Sequence, residues 1–141
     1  MNTLPRRSAQ KGVTILEILI VLTIMALVAA LAGPRLIGYL GRAKSETANL
    51  QIQQVQNALQ LFYIDLGRYP TDAEGLRVLV DAPNGETDWR GPYLETDAVI
   101  IDPWDRPYLY EATDESENPK VHSYGRDGQE GGAGEDADVS N

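Results

Sequence analysis

The chain has 141 residues, which predicts one domain, and its 12 basic and 21 acidic residues give a formal net charge of −9. The absence of cysteine excludes disulfide frameworks, cysteine-ligated zinc and thiol nucleophiles, and a single histidine excludes multi-histidine metal sites. The acidic balance argues against a nucleic-acid partner, because phosphate binding needs clustered Lys and Arg.

The charge is distributed unevenly along the chain. Residues 1–12 carry three bases and no acid, residues 13–34 carry one charged residue, and residues 67–141 carry 6 bases and 18 acids. This segregation predicts three physical environments. We assign them to a basic leader over 1–12, a transmembrane helix over 13–34 and a domain outside the cytoplasm over 35–141.

The transmembrane assignment rests on residues 13–32, of which 17 of 20 are apolar. A helix of this length spans roughly 30 Å, which is the thickness of the hydrocarbon core of a bilayer. The basic leader would remain cytoplasmic by the positive-inside bias, and the acidic body would then lie on the other side of the membrane.

Three interpretations of this segment compete. A cleaved signal peptide is supported by the A-x-A sequence at residues 30–32, but the apolar run exceeds the usual 7–15 residues and contains Glu17. A plain membrane anchor leaves Glu17 unexplained, since a carboxylate near the centre of such a helix costs about 2.5–3.5 kcal/mol. The third interpretation uses the position of Glu17, the fifth residue after Gly12.

The run Gly12-Val13-Thr14-Ile15-Leu16-Glu17 before an apolar segment resembles the leader of type IV pilins and type II secretion pseudopilins. The resemblance implies that a prepilin peptidase cuts between Gly12 and Val13 and methylates the new N-terminus, although Val13 stands where Phe is usual. It also implies that the Glu17 carboxylate meets the free amine of a neighbouring subunit during assembly. Pro34 is then a position where a continuous helix can bend or locally melt on assembly.

Residues 35–66 are predicted to form an amphipathic helix. One apolar stripe recurs at spacings of 4, 3, 4, 3 and 4 residues, and it consists of Ala48, Ile52, Val55, Leu59, Phe62 and Leu66. Gly67 and Pro70 end the helix. We expect the stripe to pack on a small sheet; a coiled-coil seam is the alternative, although the stripe lasts under three heptads.

The acidic body is predicted to hold a short helix and three short strands. The capping-box form Thr71-x-x-Glu74 predicts a helix near 72–81. β-forming residues predict strands over 99–101, 107–112 and 120–124. The predicted fold class is α+β: a long N-terminal helix on a small antiparallel sheet, followed by a Gly/Asp-rich C-terminal loop.

Three further blocks narrow the resemblance to the major pseudopilins of type II secretion, the G-type subunits. The first is Gly67-Arg68-Tyr69-Pro70-Thr71 with Gly75, Leu76 and Leu79. The second is residues 102–108, with Asp105 where Gly is usual, and the third is the acidic, Gly-rich stretch of residues 123–139.

Residues 127–141 hold five acids, four glycines and no base. Composition alone predicts a solvated, disordered tail, with calcium binding as the alternative, and the spacing is not that of an EF-hand. The resemblance favours calcium. It implies Asp127, Asp136 and Asp138 as side-chain ligands, with backbone carbonyls around His122 and Ser123 as further ligands.

No nucleophile, zinc-protease or phosphate-loop motif is present, so we do not expect an enzyme, and the resemblance implies a structural subunit. The resemblance implies a precursor held in the inner membrane by one span, with a cytoplasmic N-terminus and a periplasmic domain. After cleavage it would polymerise into a periplasmic pseudopilus that drives folded exoproteins across the outer membrane. The implied partners are membrane lipid before assembly, copies of itself, minor pseudopilins, the prepilin peptidase and an inner-membrane assembly platform.

Two other functions stay open from the sequence. One is a type IV pilin, a class that usually carries a C-terminal cysteine pair, which this chain lacks. The other is a secreted calcium-binding domain behind an ordinary signal peptide cut after Ala32.

Overall fold

The computed structural model describes residues 13–113 and 118–141, so Gly12 lies outside the described residues. Helix α1 covers Ile15–Leu66, and three short strands follow: β1 at Leu109–Glu111, β2 at Lys120–Ser123 and β3 at Val139–Ser140. Single 3-10 turns cover Gly75–Leu79, Asp97–Ile100 and Gly134–Asp136. The chain divides into two compact units, Met1–Gly38 and Tyr39–Asn141.

Helix α1 is 52 residues long and runs without interruption through positions 33 and 34. Its second half forms the core of the second unit in the way that the apolar stripe predicts. Ala48, Val55, Leu59 and Phe62 are fully buried and Ile52 is 2% exposed, whereas Leu66 at the helix end is half-buried. The helix ends at Leu66, and the next residue, Gly67, has a φ of +70°, in the left-handed region that favours glycine.

The three strands form an antiparallel sheet in the order β1-β2-β3. Leu109 pairs with His122 across the first ladder, and His122 with Ser140 across the second. The central strand presents fully buried Val121 to the core. Asn141 secures the chain end to this strand, because its Oδ1 accepts from Val121 N at 2.8 Å and its Nδ2 donates to Pro119 O at 3.1 Å.

The predicted fold class is therefore confirmed, but one of its strands is wrong. Residues 99–101 do not form a strand: Asp97–Ile100 is a 3-10 turn, and Ile101 makes only an isolated bridge to Pro107. The reason is local, because the Thr96 hydroxyl accepts from Ala98 N at 3.2 Å and starts a turn. The third strand is Val139–Ser140, which comes from the C-terminal stretch.

The helix predicted near 72–81 is also shorter than expected. Only Gly75–Leu79 is helical, and it is of the 3-10 type. Gly75 has a φ of +60°, so the backbone leaves the right-handed path immediately after the capping box and restarts as a tighter turn. Leu76 and Leu79 of this turn still pack into the core.

Candidate functional site

The first half of α1 is apolar and exposed around its whole circumference. Every large apolar residue from Val13 to Leu31 is at least 47% exposed, and Ile15 reaches 82%. By length and composition this part of the helix is able to cross a membrane. An exposed apolar surface of this extent on a protein marks a contact with lipid or with another protein.

Glu17 lies in the first turn of α1, within this apolar surface. Its backbone N–H donates to Thr14 Oγ1 at 3.2 Å, so the Thr14 hydroxyl satisfies one of the free amides at the helix start. Ile18 N donates to Thr14 O at 3.2 Å as the first backbone bond of the helix. The Glu17 side chain is exposed and takes part in no ion pair among the described residues. Val13 is 66% exposed and lies four residues before it.

A short aromatic and basic segment follows the apolar one. Tyr39 is 63% exposed, and the Arg42 guanidinium lies 4.7 Å from the centre of its ring. Tyrosine and arginine are residues typical of the boundary between a bilayer and water.

The segment after α1 is fixed by a network of charges. Arg68 Nη1 and Nη2 donate to the two Glu74 carboxylate oxygens at 2.8 and 2.9 Å, and Nη2 also contacts Glu86 Oε2 at 3.3 Å. Glu74 accepts from Thr71 N at 2.8 Å, while Glu74 N donates to Thr71 Oγ1 at 3.3 Å, which is the reciprocal capping box. The Arg68 guanidinium lowers the pKa of Glu74 from 4.5 to about 2, with the Thr71 hydrogen bonds as lesser causes.

The buried carboxylate of Asp102 organises the loop before β1. Its Oδ1 accepts from Trp104 N at 3.0 Å and Arg106 N at 2.9 Å, and its Oδ2 accepts from the Ser123 hydroxyl at 2.6 Å. Asp105 sits inside this loop with a φ of +65°, which explains why a glycine suits the position. Asp102 therefore ties residues 102–106 to the central strand.

The acidic loop, residues 125–141, holds the predicted calcium ligands in separate arrangements. Asp127 Oδ1 accepts from Gln129 N at 3.1 Å, and Asp138 Oδ2 accepts from Gly131 N at 2.9 Å. Both Asp136 oxygens are taken by Arg126, at 2.8 and 2.9 Å. Over residues 13–113 and 118–141 no group of three or more His, Asp or Glu side chains is placed to hold a metal ion. In this structure the three carboxylates therefore make separate contacts.

His122 and Ser123, predicted to offer backbone carbonyls, lie on β2 and are both buried. The Ser123 hydroxyl donates a hydrogen bond to Asp102 Oδ2. His122 Nδ1 has no hydrogen-bond partner among the described residues, and its Nε2 lies 3.8 Å from Glu111 Oε1. A cavity of about 90 Å³ adjoins this histidine and is also lined by Glu130 and Asp138, so one strand and the acidic loop do meet there.

Sequence reasoning missed the residues that hold the acidic loop in place. Arg126 Nη1 donates to Glu135 Oε2 at 3.3 Å, and Arg126 N donates to Glu135 O at 2.9 Å. Glu135 also accepts from Trp104 Nε1 at 3.3 Å and packs against Gly41 of α1, where an added Cβ would lie 2.8 Å from Oε2. The sequence contains one indication of this arrangement, because a single arginine, Arg126, directly precedes the acidic residues.

Comparison with known proteins gives a consistent result. The family described as type II secretion system protein G matches residues 35–141, and the family described as the prokaryotic N-terminal methylation motif matches residues 7–33. The second match includes the segment around Gly12 and Glu17, and the first includes the Asp102 loop and the acidic loop.

Individual relatives cover nearly the whole chain. The type II secretion system core protein G of Pseudomonas aeruginosa is 34% identical over 96% of this chain and 97% of its own length. The core protein G of Xanthomonas campestris is 33% identical over 96% and 92%. The crystal structure of the major pseudopilin from the type 2 secretion system of enterohaemorrhagic Escherichia coli superposes with a TM-score of 0.59 at 25% identity, covering 77% of this chain and 94% of that one.

Proposed function

This chain belongs to the family of type II secretion system protein G, and from that premise we propose that it polymerises as the major subunit of a periplasmic pseudopilus. It is a structural subunit and not an enzyme. The observation that carries the proposal is the apolar first half of α1, which is exposed on every side and must be covered by lipid or by neighbouring helices.

Before assembly, lipid covers this helix. We propose a single span of the inner membrane, with residues 1–12 in the cytoplasm and the unit Tyr39–Asn141 in the periplasm. The positive charge of the leader supports this orientation, and the aromatic and basic segment at Tyr39 and Arg42 supports a membrane boundary at that point.

During assembly, the apolar faces of neighbouring copies replace lipid in the centre of the fibre, while the acidic domains coat the outside. Apolar contacts alone allow helices to slide past one another, so a directional contact is needed to fix their register. We propose that Glu17 supplies it by pairing with the amine that cleavage after Gly12 creates on Val13 of a neighbouring copy. A charge in an apolar helix is tolerated when it is paired, and such pairs specify register.

Membership of this family also suggests which other components of the secretion pathway act on the subunit. We propose that a prepilin peptidase cleaves and methylates the N-terminus, that an assembly platform extracts the subunit from the membrane, and that minor pseudopilins begin the fibre. The growing fibre then pushes folded exoproteins through an outer-membrane channel. A type IV pilin and a secreted calcium-binding domain are not favoured, because the matching relatives are core protein G subunits over nearly their whole length.

The assembly proposal is tested with Glu17→Ala in cells that express the secretion machinery. The variant should be cleaved and its periplasmic domain should fold, yet fibre yield and exoprotein release should fall several-fold. Asp88→Ala, which removes an exposed acid from the periplasmic unit, is the matched control and should assemble like the unaltered chain. Normal fibres from Glu17→Ala would refute the pairing.

Calcium binding by the acidic loop is a second proposal, and it is supported by the family resemblance and by the Gly-rich turns of the loop. It requires Asp136, one of the three implied ligands, to exchange its contacts with Arg126 for contacts with calcium. Calorimetric titration of the full-length chain with calcium, beside Asp127→Ala, tests it. Saturable binding that Asp127→Ala weakens would support calcium; no heat at millimolar calcium would refute it.

A further inference from the structure

The acidic loop contains its own cation. Residues 127–138 carry five carboxylates and no base, which would repel one another if nothing offset their charge. Arg126 directly precedes them, and its guanidinium contacts two of the five, Asp136 and Glu135. An arginine fork that meets both oxygens of a carboxylate is the stronger and more directional kind of ion pair.

The contact joins the two ends of the loop rather than neighbouring residues. Arg126 and Asp136 are ten residues apart, and the arginine engages this stretch through both its side chain and its backbone, since Arg126 N donates to Glu135 O at 2.9 Å. Gly125 allows this closure: its φ is +63°, and a Cβ there would lie 2.6 Å from the carbonyl oxygen of Ala137. Arg106 adds a further contact by donating to the Gly125 carbonyl oxygen.

The closed loop is also attached to helix α1. Glu135 is only 19% exposed in its side chain, accepts from Trp104 Nε1, and lies against the backbone of the helix at Gly41. Arg126 therefore orients a carboxylate that contacts both the Asp102 loop and α1.

We propose that Arg126 is the built-in counter-ion of the acidic loop, and that it holds the loop closed on α1 through Glu135 and Asp136 when no metal is bound. This differs from a loop that calcium alone orders, which would be mobile in the metal-free protein. It fixes the surface formed by residues 125–141 in the metal-free protein, where Arg126 neutralises the Asp136 carboxylate. Arg126 is thus a positioning residue for that surface.

Hydrogen exchange measured by mass spectrometry tests this directly. The full-length protein in detergent is compared in chelator and in calcium, with Arg126→Gln, Arg126→Lys and the control Arg77→Gln. Arg77 belongs to an exposed pair with Asp81 on the same unit, so its replacement removes a charge without touching the loop. Peptides over 125–141 report on the loop, and peptides over 52–62 of α1 report on the core.

In chelator, the unaltered chain should protect residues 125–141, and Arg126→Gln should raise exchange there about tenfold while residues 52–62 stay protected. Arg126→Lys keeps the charge but not the fork, so it should fall between the two. If Arg126→Gln also loses protection over residues 52–62, it has unfolded. The test then rests on Arg126→Lys, whose core should stay protected while exchange over 125–141 rises.

Two results would overturn the proposal. One is a loop that exchanges freely in chelator in the unaltered chain and becomes protected only in calcium. The other is unchanged exchange in Arg126→Gln and Arg126→Lys. If calcium protects residues 125–141 of Arg126→Gln from exchange, that result concerns calcium binding alone. The two proposals can therefore be refuted independently.

Discussion

Loss of the Asp102 side chain should strongly destabilise the unit Tyr39–Asn141. Its side chain is only 2% exposed, and it accepts three hydrogen bonds, from Trp104 N, Arg106 N and the Ser123 hydroxyl. Asp102→Ala leaves all three donors without an acceptor. Removing one partner from a buried charged network costs about 3–5 kcal/mol, a large share of the 5–15 kcal/mol by which domains are stable.

Asp102→Asn separates the shape of the side chain from its charge. The amide keeps an oxygen for the two backbone donors, and the Ser123 hydroxyl can turn to accept instead of donate. What is lost is the attraction to Arg106, whose Nε lies 3.8 Å away. We expect a cost of about 1–2 kcal/mol, in the range of one charge-assisted hydrogen bond.

Urea and thermal unfolding of a fragment beginning at residue 35 measure both effects, because this fragment contains the whole compact unit Tyr39–Asn141. Asp102→Ala should lower the Tm by roughly 15–25 °C. Asp88→Ala, an exposed control, should stay within about 0.5 kcal/mol of the unaltered fragment. A cost below about 1 kcal/mol for Asp102→Ala, or equal costs for Ala and Asn, would show that the network is not the source of stability.

Three further predictions concern charge, backbone strain and the attachment of the acidic loop. Because the pKa of Glu74 falls from 4.5 to about 2 in the folded chain, its carboxylate stabilises the fold above pH 4.5, and this contribution is lost as the pH falls through about 2. Glu74→Gln should be less stable at pH 7 and should show a smaller loss between those two values in urea unfolding; an unchanged slope would contradict this. Asp105→Gly relieves the strain of a side chain at a φ of +65°. The net stabilisation of the fragment should be about 0.5–1 kcal/mol, because glycine also makes the unfolded chain more flexible. Destabilisation would show that the aspartate makes a contact that outweighs its strain. Gly41→Ala gains about 1 kcal/mol of helix propensity but displaces the Glu135 carboxylate, so hydrogen exchange over 125–141 should rise while the Tm does not fall; unchanged exchange would refute the attachment.

Much of the helix could be predicted because its signals are local and periodic. A stripe at spacings of three and four residues specifies which face of α1 is buried, and the structure buries that face at Ala48, Ile52, Val55, Leu59 and Phe62. The capping box at Thr71 and Glu74 is likewise a local pattern, and both of its hydrogen bonds form.

The strands were harder because they are short and depend on distant partners. Residues 99–101 are rich in β-forming side chains, yet Thr96 caps a turn there and Asp102 closes the next loop. Strand β3 has two residues, too few for a periodic pattern, and it exists because Ser123 and Val139 pair across the sheet.

The ion pairs of the acidic loop were also hard to predict from the sequence, because they join residues that are distant along the chain. Counting charges from residue 127 onward predicts unrelieved repulsion, whereas the structure brings Arg126 and Asp136 together over ten residues. That pairing depends on the turns between them, and residue spacing does not reveal it. Composition indicated the acidity of the loop correctly but could not identify which cation offsets it.

The N-terminus of the mature protein shows whether the subunit keeps the helix that assembly needs. Subunits are isolated from membranes and from fibres of cells that express the prepilin peptidase, and their intact mass and N-terminal peptide are measured. We predict a chain that begins at Val13, carries one added methyl group and retains Glu17. A chain that begins at Gly33 would contradict it, because cleavage there would remove both Glu17 and the apolar surface on which assembly depends.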